Sequence, residues 1–198
     1  MSIKKHKNRI FPIAVLIILA LILLFTGNTL YKFLNEKYLL KNYPIKYQEY
    51  VEKYSLENNV DKFLIYAIIK TESNFDPDAV SNVGARGLMQ IMDETFQWIR
   101  FRLGDDESVE YDEMFDPEQN IRYGCYLVGY LTEYFESEDC AVCAYHAGIG
   151  SVDSWLSNSD YSKDGKNLDV VPASDTSHYL NKIKKALNNY YTIYKEEY

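Results

Sequence analysis

"NNVDKFLIYAIIKTESNFDPDAVSNVGARGLMQ", residues 58–90, passes from an apolar helical run to a single carboxylate and then into a loop of turn-forming residues. In its first half Val60, Phe63, Leu64, Ala67 and Ile68 recur at the i, i+3, i+4, i+7, i+8 spacing of a helix with one buried face. Glu72 stands four residues after Ile68 and so falls on that same face. A carboxylate placed there is costly to ionise, so it should keep its proton to higher pH than an ordinary glutamate, which suits a general acid. The competing role is a structural glutamate paired with an Arg or Lys. In the second half Asp76, Pro77, Ser81, Asn82 and Gly84 are turn residues, and Gly87 permits close backbone approach. The spacing predicts a helix opening after Gly87, with Leu88, Ile91, Met92 and Ile99 inward, Trp98 on its flank and Gln90 one turn in. The amide of Gln90 offers a donor and an acceptor suited to an N-acetyl group or a peptide amide.

The rest of the chain after Pro44 repeats the helical pattern, with no strand alternation, internal repeat or low-complexity tract. At "DPEQ", 116–119, Asp116 can cap a helix, Pro117 suits its first position and Gln119 completes a capping-box arrangement. The inward stripe of that helix is Ile121, Gly124, Cys125, Val128 and Leu131, with Phe135 beyond. Two short helices around "CAVCAYHAG" and "GSVDSWL" follow, broken by Gly148 and Gly150, and a last one from about Thr176 carries Tyr179, Ile183, Leu187, Tyr190 and Tyr194. The 19 tyrosines are spread along the chain as half-buried amphipathic fillers. The fold class is all-α, one globular domain over 45–198.

Residues 10–31, "IFPIAVLIILALILLFTGNTLY", carry no charge, and at about 1.5 Å per residue they cover a bilayer core of roughly 30 Å. Lys4, Lys5, Lys7 and Arg9 precede this run, while Lys32 and Lys37 mix with Glu36 after it, so the positive-inside bias keeps residues 1–9 in the cytoplasm and directs the remainder outward. No small-x-small cleavage site ends the run, which favours an uncleaved membrane anchor over a signal peptide. Residues 32–44 then read as a short amphipathic stalk. Without the first 31 residues the formal charge falls from −8 to −12, which disfavours nucleic acid as a partner. Cys125, Cys140 and Cys143 are an odd set without a second CxxC or a paired His spacing, so no metal site is expected; they suit small buried packing residues, with a Cys140–Cys143 disulfide as the alternative.

Residue by residue, "ESNFDPDAVSNVGARGLMQ" (72–90) resembles the signature E-S-x-F-x-P-x-A-x-S-x-x-G-A-x-G-L-M-Q of the soluble lytic transglycosylase domain, a lysozyme-like fold that cleaves bacterial peptidoglycan. "NIRYGCYLVGYL" (120–131), "AYHAGIGSVDSWL" (144–156) and "DTSHYLNKI" (175–183) resemble further blocks of the same family, so the likeness covers about residues 45–190. The resemblance implies Glu72 as the catalytic acid and base, and Ser73, Met89, Gln90, Tyr145, His146 and Tyr179 as residues of the substrate groove. Three positions depart from the pattern: His146 stands where Asn is usual, Ile149 where Pro is frequent, and Ser177 where Arg is common. His146 can still donate a hydrogen bond, but it can also carry a positive charge, which bears on the pH profile and on acetamido recognition.

Most glycosidases hold two carboxyl groups about 5–9.5 Å apart. Asp76 and Asp78 flank a turn proline, and Asp93 with Glu94 lies at a helix surface, so solvated or capping roles fit all four better than a nucleophile's. The resemblance implies instead that Glu72 protonates the leaving oxygen and then takes the proton of the sugar's own C6 hydroxyl, giving a 1,6-anhydro end without metal or organic cofactor. A goose-type muramidase, in which water attacks, and a glycan-binding scaffold without turnover are the alternatives. Expected partners are peptidoglycan strands, the membrane through residues 10–31, and room for an envelope protein complex.

Overall fold

A computed structural model describes residues 7–195, and among these every regular element is helical. The chain divides into two compact units, Met1–Pro44 and Ile45–Tyr198. The first is a single long helix, α1 (Lys7–Asn42), that runs without interruption through the segment read as a stalk. Among the described residues it alone is long and apolar enough to cross a membrane. Lys4 and Lys5, on which part of the orientation argument rests, lie outside the described residues.

The second unit begins with α2 (Gln48–Glu57) and α3 (Lys62–Glu72). The Asp61 carboxylate caps α3 by accepting from the Phe63 N–H at 2.9 Å. Inside α3 the side chains from Phe63 through Ile69 are all buried, including Ile65, Tyr66 and Ile69, which lie off the predicted stripe. The helix is therefore the core of the domain rather than an amphipathic wall, because α2 and α8 pack against it from different sides. Val60 lies before the helix and is only half-buried.

The predicted helix after Gly87 does not begin there. Gly87 (φ 72°) and Gln90 (φ 50°) both take left-handed backbone, so Leu88–Gln90 form a turn and α4 runs Asp93–Leu103. A short 3-10 helix (Tyr111–Phe115) leads into α5 (Pro117–Phe135), whose inward stripe is buried as predicted. Asp116 caps α5 by accepting from the Gln119 N–H at 2.9 Å, but its own N–H donates to the Glu113 carbonyl, so the reciprocal half of the capping box is not made. Next come α6 (Glu138–Ala147), α7 (Ile149–Leu156) and α8 (Ser174–Tyr194). Gly148, at φ 85°, is the break between α6 and α7, whereas Gly150 sits inside α7.

Tyr66, Tyr123 and Tyr190 are fully buried rather than half-buried: Tyr66 meets Tyr190 at 5.5 Å between ring centroids, which fastens α8 onto α3. All three cysteines are free and buried, in line with a packing role.

Candidate active site

Glu72 ends α3 where α8 crosses it, and the Tyr179 hydroxyl of α8 donates to Oε1 at 2.6 Å. Burial pushes the Glu72 carboxyl above the usual glutamate range, while the Tyr179 bond and the positive charge of Lys182 pull the other way. The helix must stop at this point: Ser73 is the C-cap, with its N–H 3.2 Å from the Ile69 carbonyl, and Asn74 and Phe75 follow in left-handed backbone that turns the chain sharply. Phe75 is buried by that turn, which anchors the exit from Glu72 to the core.

Around the acid stand three aromatic rings from two helices. Tyr179 stacks on His146 at 4.6 Å between centroids, and His146 Nδ1 lies 3.1 Å from Thr176 Oγ1, one turn earlier in α8. Tyr145 donates to the Met89 carbonyl at 2.6 Å, and burial, with the negative charge of Glu72 next, raises its hydroxyl well above the ordinary tyrosine value. Tyr179 is raised in the same way, so both phenols stay protonated donors.

The loop between α3 and α4 is held from below by Asn120 of α5. Its Oδ1 accepts from the Met89 N–H at 2.8 Å and its Nδ2 donates to the Arg86 and Met114 carbonyls at 3.0 and 2.8 Å. Gly87 is obligatory in this arrangement, since a Cβ there would meet the Met114 carbonyl oxygen at 2.0 Å. Gly124 plays the matching part on α5, where a Cβ would strike the Met89 sulfur at 2.1 Å. Arg86 and Ile91 exchange backbone hydrogen bonds of 3.0 and 3.1 Å and close the turn that carries Met89 and Gln90.

A groove of about 550 Å³ opens beside the rings, lined by Tyr145, His146 and Ile149 on one side and Met92, Glu94 and Trp98 of the α4 segment on the other. The structure brings Glu72, Tyr145, His146 and Tyr179 together. Met89 joins them through its backbone carbonyl, since its side chain is fully buried against Gly124. Gln90 folds back on its own loop, donating from Nε2 to the Ala79 and Gly87 carbonyls at 3.1 and 2.9 Å. The Ser73 hydroxyl donates to the Ile69 carbonyl at 3.3 Å and serves the helix end. Met92, predicted inward, is exposed in the groove instead, because the late start of α4 rotates it outward.

Asn120 and Thr176 were not singled out from the sequence. Both are polar residues buried to within 1% of full enclosure, and each lies inside a block already quoted, "NIRYG" and "DTSHYL". The available signal was a polar side chain with no obvious solvent-facing register. Of the other acids, Asp76 caps its own turn through the Asp78 N–H at 3.0 Å, Asp93 accepts from Gln97, and Glu94 lines the groove in an exposed position.

The model of the transglycosylase SLT domain matches residues 49–168. The soluble lytic murein transglycosylase of Escherichia coli (strain K12) is 29% identical over 159 residues, 79% of this chain and 24% of that protein. Membrane-bound lytic murein transglycosylase C of Serratia proteamaculans (strain 568) is 33% identical over 166 residues, 73% of this chain and 46% of that protein. The chain therefore spans about a quarter of the length of the soluble relatives and about half of the membrane-bound ones. Among solved structures, the 70 kDa soluble lytic transglycosylase of Escherichia coli superimposes with a TM-score of 0.69 at 27% identity, over 78% of this chain and 25% of that one. The same soluble enzyme is also known in complex with bulgecin A. With its lysozyme-like helical fold and a family match over more than half its length, this chain belongs to the transglycosylase SLT domain family.

Proposed function

We propose that this protein is a peptidoglycan lytic transglycosylase that cleaves the β-1,4 bond between N-acetylmuramic acid and N-acetylglucosamine, with Glu72 as acid and then base. The observation that carries this is the electrostatic setting of Glu72. Its carboxyl lies at the end of α3, where burial raises its pKa and the Tyr179 hydroxyl donates to Oε1 at 2.6 Å. Of the acids nearest to it in sequence, Asp76 caps its own turn through the Asp78 N–H and Asp93 accepts from Gln97.

The chemistry then follows from one group. Burial favours the protonated form of Glu72, which delivers its proton to the glycosidic oxygen as the C1–O bond breaks. The carboxylate left behind is held by the Tyr179 hydroxyl and takes the proton of the C6 hydroxyl, whose oxygen bonds to C1. The proton is returned, no water is consumed, and the product carries a 1,6-anhydro end. Tethering favours this step, since well-oriented intramolecular nucleophiles reach effective molarities of about 10⁵ M or more. Tyr145, His146 and Tyr179 line the site around the sugar, while Ser73, Met89 and Gln90 support its walls. Residues 10–31 anchor the chain, with residues 1–9 cytoplasmic, 32–44 as a helical extension toward the wall and 45–198 as the catalytic domain.

Mass analysis of the products decides the outcome. Digestion of purified peptidoglycan by the full chain in detergent is expected to release muropeptides one water lighter than reducing-end products. Reducing ends from the same digestion would establish a muramidase in its place.

A further inference from the structure

Trp98 lines one cavity and its ring touches the wall of another. It lines the groove of the candidate active site, and its ring also meets Tyr130 of α5 edge-on at 4.9 Å and Tyr126 at 6.2 Å. Those two tyrosines wall a second cavity of about 610 Å³, open to solvent and completed by Arg102, Glu57, Asn58 and Glu133. The turn between α2 and α3 closes its far side. Gly129 lets that turn approach α5, since a Cβ there would meet the Asn58 carbonyl oxygen at 2.7 Å.

Arg102 lies one helical turn after Trp98 and projects over the same aromatic strip, 5.6 Å from the Trp98 ring and 5.3 Å from that of Tyr130. Its Nε donates to the Tyr126 hydroxyl at 3.1 Å. In this acidic domain Arg86 and Arg122 pair with Asp112 and Asp105, and Arg100 donates to two backbone carbonyls. Among the described residues no carboxylate lies within ion-pair distance of Arg102. A guanidinium has five N–H donors in a planar fork, and here the fork lies over the Trp98 and Tyr130 rings, spends its Nε donor on Tyr126 and lines the cavity. Glu57, at the end of α2, and Glu133, on α5 beyond Tyr130, line the same cavity and supply the complementary charge.

We infer that this second cavity binds the short peptide carried by the glycan strand, Arg102 taking a peptide carboxylate and Glu57 with Glu133 a peptide ammonium. The inference rests on the peptidoglycan function proposed above and deepens it. Continuity supplies the geometry: a strand lying in the groove against Trp98 presents its side-chain peptide across that indole to the cavity behind it. Charge complementarity supplies the ligand class: the glycan backbone carries no ammonium for Glu57 and Glu133, whereas a peptide brings both an amine for the two glutamates and a carboxylate for Arg102.

The test compares two polymers with the full chain in detergent: strands with peptides intact, and the same strands stripped of peptides by an amidase. For Arg102→Gln, the ratio of KM on peptide-bearing strands to KM on bare strands is expected to rise about fivefold, the worth of one exposed charge pair. Glu133→Gln should move the same ratio in the same direction, most strongly on peptides that carry a free amine. A ratio unchanged in both variants, while the wild type cleaves both polymers, overturns the peptide cavity and leaves the proposed function standing. Failure of the wild type to cleave either polymer overturns the proposed function itself.

Discussion

Replacing Glu72 by Gln tests both the chemistry and the environment assigned to this residue. The amide keeps an acceptor oxygen where Oε1 now takes the Tyr179 hydroxyl at 2.6 Å, so α3 and α8 stay fastened. It cannot deliver a proton. General acid–base assistance is worth about 10²–10⁴-fold, and a residue serving in both proton transfers should sit at the upper end, about 10⁴-fold or about 5 kcal/mol of barrier. Stability should move the other way. Burial raises the folded-state pKa of Glu72 above its unfolded value, so the folded state holds the proton more tightly and stability declines as pH rises through that interval. Gln has no charge to bury, and at pH 8 the variant should be the more stable of the two, with the higher Tm. Below about pH 4, where the carboxyl is protonated in both states, the difference should vanish. The assay pairs muropeptide release followed by mass spectrometry with thermal melts at pH 4 and pH 8. A variant retaining a tenth of wild-type cleavage would refute the single-acid mechanism, and a Tm several degrees below wild type at pH 8 would refute the environment.

Tyr179→Phe removes the donor that favours the Glu72 carboxylate, so the carboxyl should hold its proton to still higher pH and the alkaline limb of kcat/KM should shift upward; an unmoved profile would show that the bond has no part in tuning the acid. Asn120→Ala leaves the Met89 N–H and two carbonyls without their buried partner, and urea unfolding should report a loss of about 3 kcal/mol together with reduced cleavage as the Gly87–Gln90 turn loosens. Asp105 is held below the ordinary carboxylate range chiefly by the two-pronged Arg122 guanidinium at 2.6 and 2.7 Å, with the Tyr123 hydroxyl adding to it. Its contribution is complete above the unfolded carboxylate pKa and fades as pH falls through the lower folded value, so Asp105→Asn should lower Tm at pH 7 and flatten the acid limb of the stability curve.

Periodicity located α3, α5, α6, α7 and α8 but did not single out α2, and α5 follows its predicted inward residues from Ile121 to Phe135. It failed where periodicity carries no information about neighbours. The run after Gly87 has helical spacing, yet the backbone there is bent by left-handed residues that pack on Asn120 of α5 and the Met114 carbonyl of the preceding 3-10 helix, both distant in sequence. The fully buried tyrosines show the same limit: Tyr66 and Tyr190 find each other only when α8 lies on α3. Within the site, Glu72, Tyr145, His146 and Tyr179 were legible because they fall in recognisable blocks. The separate duties of Met89, Gln90 and Ser73 were not, because a side chain's partners within its own loop depend on torsion angles that residue type leaves open.

By itself the sequence determined an all-helical domain behind one apolar helix, a lone glutamate on an apolar face, and the family to which its blocks belong. Local propensity and burial pattern are properties of neighbouring residues along the chain, and they are written there. Only the tertiary structure decided that Glu72 meets the Tyr179 hydroxyl within the field of Lys182, and that Trp98 of the groove touches the tyrosines of a second, charged cavity. Both depend on distances between helices far apart in sequence, and those distances set desolvation and charge coupling, hence the chemistry the glutamate can perform.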